Sequence, residues 1–162
     1  MSKSYEIFVA KEYFKFNAAH FQAYAGFRER LHGHNYHVSV RIEGPLGKDG
    51  YVVDFGDIKK ATRAVCQELD ERVMIPAASE VLEISRSGAE VIVVCEDGTR
   101  FSFPATDCVL LPITHTSAEE LAGHICRLLI ERLDVLGRRG VTAVEVAVEE
   151  APGQEARFRQ EL

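Results

Sequence analysis

Three histidines are spaced so that they could bind one metal ion. His32 and His34 lie two residues apart in a segment that alternates like a β-strand, so their imidazoles project from one face. His20 lies at the end of the preceding predicted strand, and a hairpin would bring it close to them. Three neutral imidazoles that leave one coordination position open are the ligand set of a catalytic zinc ion. Histidines that only hydrogen-bond to backbone are the alternative, and the spacing leaves both open.

The other histidines and the cysteines predict no second site. His37 faces the opposite side of its strand, and His115 and His124 lie before and on a predicted helix, where we expect structural or solvated roles. The four cysteines are scattered without C-x-x-C spacing, so neither a thiolate metal site nor a redox motif is indicated. We expect them to be small, reduced core residues.

Two predicted strands must position the histidines. Residues 5–17 alternate, with Phe8, Ala10, Glu12, Phe14 and Phe16 on one face and Ile7, Val9, Lys11, Tyr13 and Lys15 on the other. Residues 32–43 alternate more clearly, with an apolar face that also carries the two histidines: His32, His34, Tyr36, Val38, Val40 and Ile42. One face of the second strand is therefore covered and the other is polar.

Two helices are predicted from their caps and apolar spacing. Asp54 caps a helix that should end near Glu71 and that carries Ile58, Ala61, Ala64, Val65 and Leu69. The capping box that begins at Ser117 starts the second helix, and the glycines and arginines at 137–140 end it.

The element order predicts an α+β fold in a single domain, residues 1–162. A hairpin at 91–94 and 100–103 separates the helices, and two strands follow at 141–150 and 156–162. We expect an antiparallel four-stranded sheet with two helices on one face and the hairpin as an insertion. The other sheet face is regular but polar, with Ser39, Arg41, Glu43, Glu145 and Glu149. Several such sheets closed into a barrel would explain it, which predicts a homo-oligomer.

Charge and length limit the partners. The formal net charge of −6 argues against a broad basic surface and against nucleic-acid binding. The longest apolar run, residues 91–95, is far shorter than the ~20 residues that cross a bilayer, and the first residues carry no signal core. We therefore expect a cytoplasmic protein without a membrane partner.

Five segments in this order resemble the 6-pyruvoyl-tetrahydropterin synthase family, which includes the 6-carboxy-tetrahydropterin synthases of queuosine biosynthesis. They are FNAAHF (16–21), LHGHNYHVSV (31–40), GYVVDFGDIKK (50–60), LDERV (69–73) and THTSAEELA (114–122). The resemblance covers nearly the whole chain except about 76–111, the inserted hairpin region. It implies zinc on His20, His32 and His34 and the tunnelling fold, a trimeric or hexameric barrel with sites between subunits.

The resemblance also implies a substrate, a reduced pterin such as 7,8-dihydroneopterin triphosphate, with a carboxylate that binds its amino-pyrimidine edge. Glu149 and Glu150 compete for that role, and strand phase favours Glu150, which continues the covered face; the alternative is an exposed glutamate before a turn. Ser117 matches the family threonine that caps a helix near the pterin. Phe55 matches part of the VVDF motif and would line the core or the pocket, beside Asp54 as a helix cap.

The sequence departs from the family pattern at two proton carriers. The cysteine expected before the HGH motif is missing, and Asp70 is followed by Glu71 where the family has histidine. A subgroup that resembles this chain places a glutamate just before LHGHNY and is associated with cleavage of the dihydroneopterin side chain to 6-hydroxymethyl-dihydropterin. Glu29 is therefore the candidate base, or else a solvated loop charge. Asp70 and Glu71 would act as a relay, or only flank a helix end.

These observations predict a zinc-dependent lyase or synthase that acts on the side chain of 7,8-dihydroneopterin, its triphosphate or a related reduced pterin. The alternative is a catalytically altered or inactive homologue that binds zinc and a pterin-like heterocycle. A third hypothesis is another zinc-dependent reaction on a related heterocycle, with specificity altered by residues 76–111.

Overall fold

The computed structural model describes residues 3–162. In chain order the strands are β1 (Tyr5–His20), β2 (Ala23–Tyr24), β3 (Phe27–Arg28), β4 (His32–Gly44), β5 (Arg72–Pro76), β6 (Glu83–Ser87), β7 (Glu90–Val94), β8 (Arg100–Pro104), β9 (Cys108–Leu111), β10 (Ala143–Ala151) and β11 (Gln154–Glu161). The α-helices are α1 (Phe55–Leu69), α2 (Ala118–Arg132) and α3 (Val135–Arg139).

The main sheet has six strands in the order β11-β10-β4-β1-β5-β9. The antiparallel set β11, β10, β4 and β1 is the four-stranded sheet predicted from alternation. Two short strands extend it: β5 pairs with β1, and β9 with β5, both in parallel. The α+β class is thus confirmed, but the sheet is mixed and wider than predicted.

The pairing of β1 with β4 contains a bulge. Ala10 lies opposite Ser39, but the next pair is Lys15 with His37, so residues 11–14 of β1 lie opposite a single residue of β4. Before the bulge the odd-numbered Val9 is buried, whereas after it the even-numbered Phe14 and Phe16 are buried. The single alternation predicted for this strand was therefore wrong.

Two helices cover one face of the sheet. The carboxylate of Asp54 accepts the Gly56 amide at 2.6 Å, which caps α1, and the buried face of this helix contributes Ile58, Val65 and Leu69 to the core. α1 ends at Leu69, within two residues of the end predicted near Glu71, because Asp70 is extended and Glu71 adopts a left-handed φ of 56°. The second predicted helix is divided into α2 and α3.

The region between the helices forms a separate three-stranded antiparallel sheet, β6-β7-β8, called here the inserted sheet. The predicted hairpin corresponds to β7 and β8, and β6 was missed because its sequence, EISRS, lacks an apolar alternation. The inserted sheet has a small core of its own, which includes Leu82, Val91, Val93 and Cys95.

The face of the main sheet opposite the helices carries ion pairs. Arg41 contacts Glu6 at 2.7 Å, and both terminal nitrogens of the Arg159 guanidinium bind the carboxylate of Glu43 at 2.9 and 2.8 Å. The predicted polar face is thus present, while the oligomeric barrel inferred from it stays a prediction. Within residues 3–162, no helix has both the length and the apolar character needed to span a membrane.

Candidate functional site

The three histidines meet at the ends of β1 and β4. The strand register places His20 opposite His32, and Ala18 opposite His34. One ring nitrogen from each histidine can be chosen so that all lie within 4.8 Å of one another. Strand pairing therefore builds the cluster that the sequence spacing predicted.

His20 is the buried member of the cluster. Its Nδ1 lies 3.0 Å from both the carbonyl oxygen and Oγ1 of Thr116. Because a carbonyl only accepts, Nδ1 carries the hydrogen and Nε2 keeps its lone pair. Burial, and then the adjacent His32 and His34, lower the pKa of His20 to about 4, so the ring is neutral at pH 7.

The arrangement fits a metal ion. His20 Nε2 is buried and has no hydrogen-bond partner among the described residues, which is costly unless something binds it. His32 Nδ1 donates to the Arg30 carbonyl at 2.7 Å, which again leaves Nε2 free. Tetrahedral zinc with bonds of about 2.0–2.1 Å needs its ligands about 3.3 Å apart. Nitrogens that lie within 4.8 Å of one another would therefore have to approach by at most about 1.5 Å.

A cavity of about 320 Å³ opens beside the histidines. Polar and charged side chains predominate in its lining, which consists of His20, Gln22, Glu29, His32, Ser117, Ala118, Glu119, Glu150, Gln154, Glu155 and Ala156. It is large enough for a bicyclic heterocycle and offers several carboxylates as hydrogen-bond acceptors.

Glu29 lies in this cavity next to the histidine cluster. Its Oε2 is 3.9 Å from His32 Nε2 and accepts the backbone N–H of Gln22 at 2.9 Å. The backbone N–H of Glu29 donates in turn to the Gln22 carbonyl at 2.9 Å. The carboxylate is therefore held at a fixed place rather than free in a loop.

Glu150 enters the same cavity from β10. A register irregularity between Glu149 and Ala151 follows the regular ladder, and Glu150 Oε1 lies 3.8 Å from His34 Nε2. Glu149 is paired with His37 in the ladder and is not part of the cavity lining. Two of the candidate carboxylates, Glu29 and Glu150, thus flank the histidine cluster.

The N-terminus of α2 forms another wall of the cavity. Ser117 Oγ accepts the Glu120 amide at 3.3 Å, as the capping box predicts. Thr116, the preceding residue, was missed by sequence reasoning although it belongs to the segment THTSAEELA. No local pattern indicates its contact with His20, which lies 96 residues away in the chain.

Asp70, Glu71 and Phe55 lie outside this cavity within one chain. Asp70 Oδ1 accepts the backbone N–H of Asn17 at 2.8 Å, and the backbone N–H of Glu71 donates to the backbone carbonyl of Asn17 at 2.7 Å. Glu71 lines a separate depression that also touches His34. Phe55 is 48% exposed at the start of α1. Their predicted roles stay predictions.

Comparison with known proteins identifies relatives that match most of the chain. The sequence model for 6-pyruvoyl tetrahydropterin synthase matches residues 9–161. A Methanocaldococcus jannaschii protein named "Putative 6-carboxy-5,6,7,8-tetrahydropterin synthase" is 34% identical over 133 residues, which cover 82% of this chain and 81% of that protein. A dihydroneopterin monophosphate aldolase of Pyrococcus furiosus is 48% identical over 44 residues, only 27% of this chain and 38% of the aldolase.

A solved structure from Plasmodium vivax agrees over nearly the full length. It is a 6-pyruvoyltetrahydropterin synthase in which a catalytic glutamate is replaced by alanine, 42% identical, with a TM-score of 0.96 over 99% of this chain and 100% of that one. The sequence match and the shared fold lead to one conclusion: the chain belongs to the 6-pyruvoyl tetrahydropterin synthase family.

Proposed function

We propose that this protein is a zinc-dependent lyase that acts on the side chain of 7,8-dihydroneopterin, its triphosphate or a related reduced pterin, with Glu29 as the base. The observation that carries the proposal is the position of the Glu29 carboxylate, 3.9 Å from His32 Nε2 in the cavity that also contains Glu150. A proton acceptor, a metal-ligand set and a pterin anchor are thereby within reach of one bound substrate.

His20, His32 and His34 would hold the ion through neutral imidazole nitrogens. When bound, zinc would polarise the side-chain oxygens of the pterin. The hydrogen bond from His20 to Thr116 and that from His32 to Arg30 orient two of the rings. These contacts fix the direction in which each lone pair points.

Glu29 would accept a proton from the side chain of the pterin during cleavage of a carbon–oxygen or carbon–carbon bond. The backbone N–H of Gln22 donates a hydrogen bond to one oxygen of the Glu29 carboxylate, so the other oxygen can turn towards a substrate. Two relatives favour this role: the Plasmodium vivax protein has a catalytic glutamate, and the Pyrococcus furiosus protein is an aldolase of a dihydroneopterin.

Glu150 would bind the amino-pyrimidine edge of the pterin, because two coplanar carboxylate oxygens match adjacent N–H donors. Ser117, at the wall of the cavity, would contact the ring while it caps α2.

We propose that the protein works as a trimer or hexamer. Asp70, Glu71 and Phe55 lie away from the cavity of their own chain, so they would reach a substrate only where a second copy brings them to it. We place the protein in the cytoplasm, which fits its four free cysteines.

The test of activity is incubation of the zinc-loaded protein with dihydroneopterin and, separately, its triphosphate under anaerobic conditions, with products identified by mass spectrometry. We expect a new pterin product, and a rate lower by a factor of about 10²–10⁴ in Glu29→Gln. Glu131→Gln, an exposed position on α2, is the matched control. If the protein forms no product under conditions in which a control enzyme is active, the proposal is overturned.

The test of the metal is a thermal shift on addition of zinc, because an ion that binds only the folded state raises the melting temperature. We expect the shift in the wild type and in His37→Ala, and its loss in His34→Ala. The two positions share β4 but face opposite sides, so equal shifts in both variants would contradict the ligand assignment.

The second candidate is a protein that binds zinc and a pterin-like heterocycle without turnover. It is favoured by the absence of both the thiol before the HGH motif and the histidine after Asp70. Calorimetric binding of dihydroneopterin without product would support it, and failure to bind any reduced pterin would reject it.

A further inference from the structure

We propose that Arg28, held by the inserted sheet, is the positioning residue for Glu29, so that the inserted sheet supports the catalytic carboxylate. The inference rests on the proposed function of Glu29. It gives a role to the inserted sheet, which lies between the segments LDERV (69–73) and THTSAEELA (114–122).

Glu29 follows a very short hairpin whose closure decides where its carboxylate lies. β2 and β3 pair through Ala23 with Arg28 and Tyr24 with Phe27. The two hydrogen bonds between Gln22 and Glu29 close the base of the hairpin, and one of them is made by the carboxylate itself. An isolated two-stranded hairpin is marginally stable at best in water, so this one needs external contacts.

Arg28 supplies those contacts through three of its guanidinium N–H groups. Nε donates to Asp97 Oδ2 at 3.0 Å, and one terminal nitrogen donates to Thr99 Oγ1 at 3.1 Å. The other terminal nitrogen donates to the backbone carbonyl of Glu29 at 2.9 Å. The planar guanidinium therefore joins the β7–β8 turn to the backbone of the candidate base.

The turn that receives Arg28 is itself well ordered by hydrogen bonds. Asp97 Oδ1 accepts the Thr99 amide at 2.9 Å, and the Cys95 amide donates to the Thr99 carbonyl at 2.9 Å. Hydrogen bonds from Thr99, followed by that from Arg28, lower the pKa of Asp97 to about 2, so it remains an acceptor at neutral pH. A fixed acceptor can fix the arginine in turn.

Two further contacts join the same hairpin to the inserted sheet. The Gly26 amide at its tip donates to Glu96 at 3.0 Å. At its base, the rings of Phe21 and Phe101 stack with centroids 5.0 Å apart, and Ala23 belongs to the same small core. The hairpin is thus attached at its tip, at its base and through Arg28.

The experiment uses the zinc-loaded full-length protein with Arg28→Lys, which keeps the charge but loses the planar fork. Thr99→Val is a second, milder variant, and Arg100→Lys, exposed on β8, is the matched control. Rates with dihydroneopterin are measured for each variant, alone and combined with Glu29→Gln. Amide hydrogen exchange of residues 22–29 and zinc content are measured on the same samples.

We expect kcat to fall about tenfold in Arg28→Lys and less in Thr99→Val, with KM and zinc content unchanged. In the Glu29→Gln background, Arg28→Lys should lower the rate by less than about twofold, because a residue that acts through Glu29 has no effect without it. An unchanged kcat, or an equal loss in both backgrounds, would overturn the proposal.

Hydrogen exchange separates this inference from the proposed function. If the wild type forms no product, the proposed function fails, but the positioning role still predicts faster exchange at 22–29 in Arg28→Lys and unchanged exchange in α1 and α2. Unaltered exchange at 22–29 would reject the positioning role whether or not the wild type is active.

Discussion

His20 at the end of β1 contacts Thr116, the residue that precedes the cap of α2. Nδ1 of the buried imidazole lies 3.0 Å from both the carbonyl oxygen and the hydroxyl of Thr116. The ring is thereby locked to the helix N-terminus that walls the cavity. The position of the metal-ligand set and that of the cavity wall are consequently set together.

The hydroxyl of Thr116 should tune zinc affinity. In Thr116→Val the carbonyl still accepts from His20 but the hydroxyl contact is lost, so we expect affinity to fall about tenfold. Competition with a chromogenic chelator measures it. Thr62→Val, at another fully buried threonine, is the control and should retain wild-type affinity. Equal affinities in all three proteins would show that the carbonyl alone orients the ring.

Replacement of Glu150 should weaken substrate binding. Glu150→Gln loses a charge-assisted pair of hydrogen bonds, worth about 1.5–3 kcal/mol, so KM for dihydroneopterin should rise roughly 10- to 100-fold. Steady-state rates measure the effect, with Glu149→Gln as the control on the opposite sheet face. A similar rise in both variants would mean that strand phase does not identify the anchor.

Glu71 should be replaceable by glycine with a gain in stability. Its φ of 56° is costly for a residue with a Cβ, whereas glycine adopts it freely. We expect the free energy of unfolding in urea to rise by about 0.5–1 kcal/mol in Glu71→Gly, and to fall in the exposed control Glu80→Gly. Product formation is then measured on the stabilised variant. If Glu71 acts in a proton relay, the variant loses activity; if Glu71 only flanks the end of α1, the activity is retained.

The stability of the metal-free protein should depend on His124 as the pH falls below about 6.5. Burial, followed by repulsion from Arg127, lowers the pKa of His124 below 6.5. As the pH falls through 6.5, His124 binds a proton in the unfolded chain but not in the folded protein, so the free energy of unfolding decreases. His124→Gln should lose less stability over this range than the wild type. His37→Gln, at an exposed position, should follow the wild type, and three parallel pH profiles would contradict the prediction.

Alternation predicted the elements that carry strong side-chain patterns. Tyr36, Val38 and Val40 are buried on one face of β4, as their spacing required, and the histidines that continue this face meet as predicted. β5 and β9 were not predicted, because short parallel strands of five and four residues are apolar runs without alternation.

The candidate site was predictable where residue type signals chemistry. Imidazoles and carboxylates can be recognised in the sequence, and strand phase placed Glu150 rather than Glu149 at the cavity. Thr116 contacts His20, which lies 96 residues away in the chain. Arg28 contacts the backbone carbonyl of the neighbouring Glu29 and the side chain of Asp97, 69 residues away. The two distant contacts have no local signature in the sequence.

The bulge in β1 separates the two halves of this strand. Between the pairs Ala10–Ser39 and Lys15–His37, four residues of β1 lie opposite one residue of β4, so the regular alternation of faces is interrupted there. The second half of the strand takes its register from β4, which places His20 opposite His32. The metal-ligand set is therefore fixed by local pairing with β4 and not by the packing of residues 5–10.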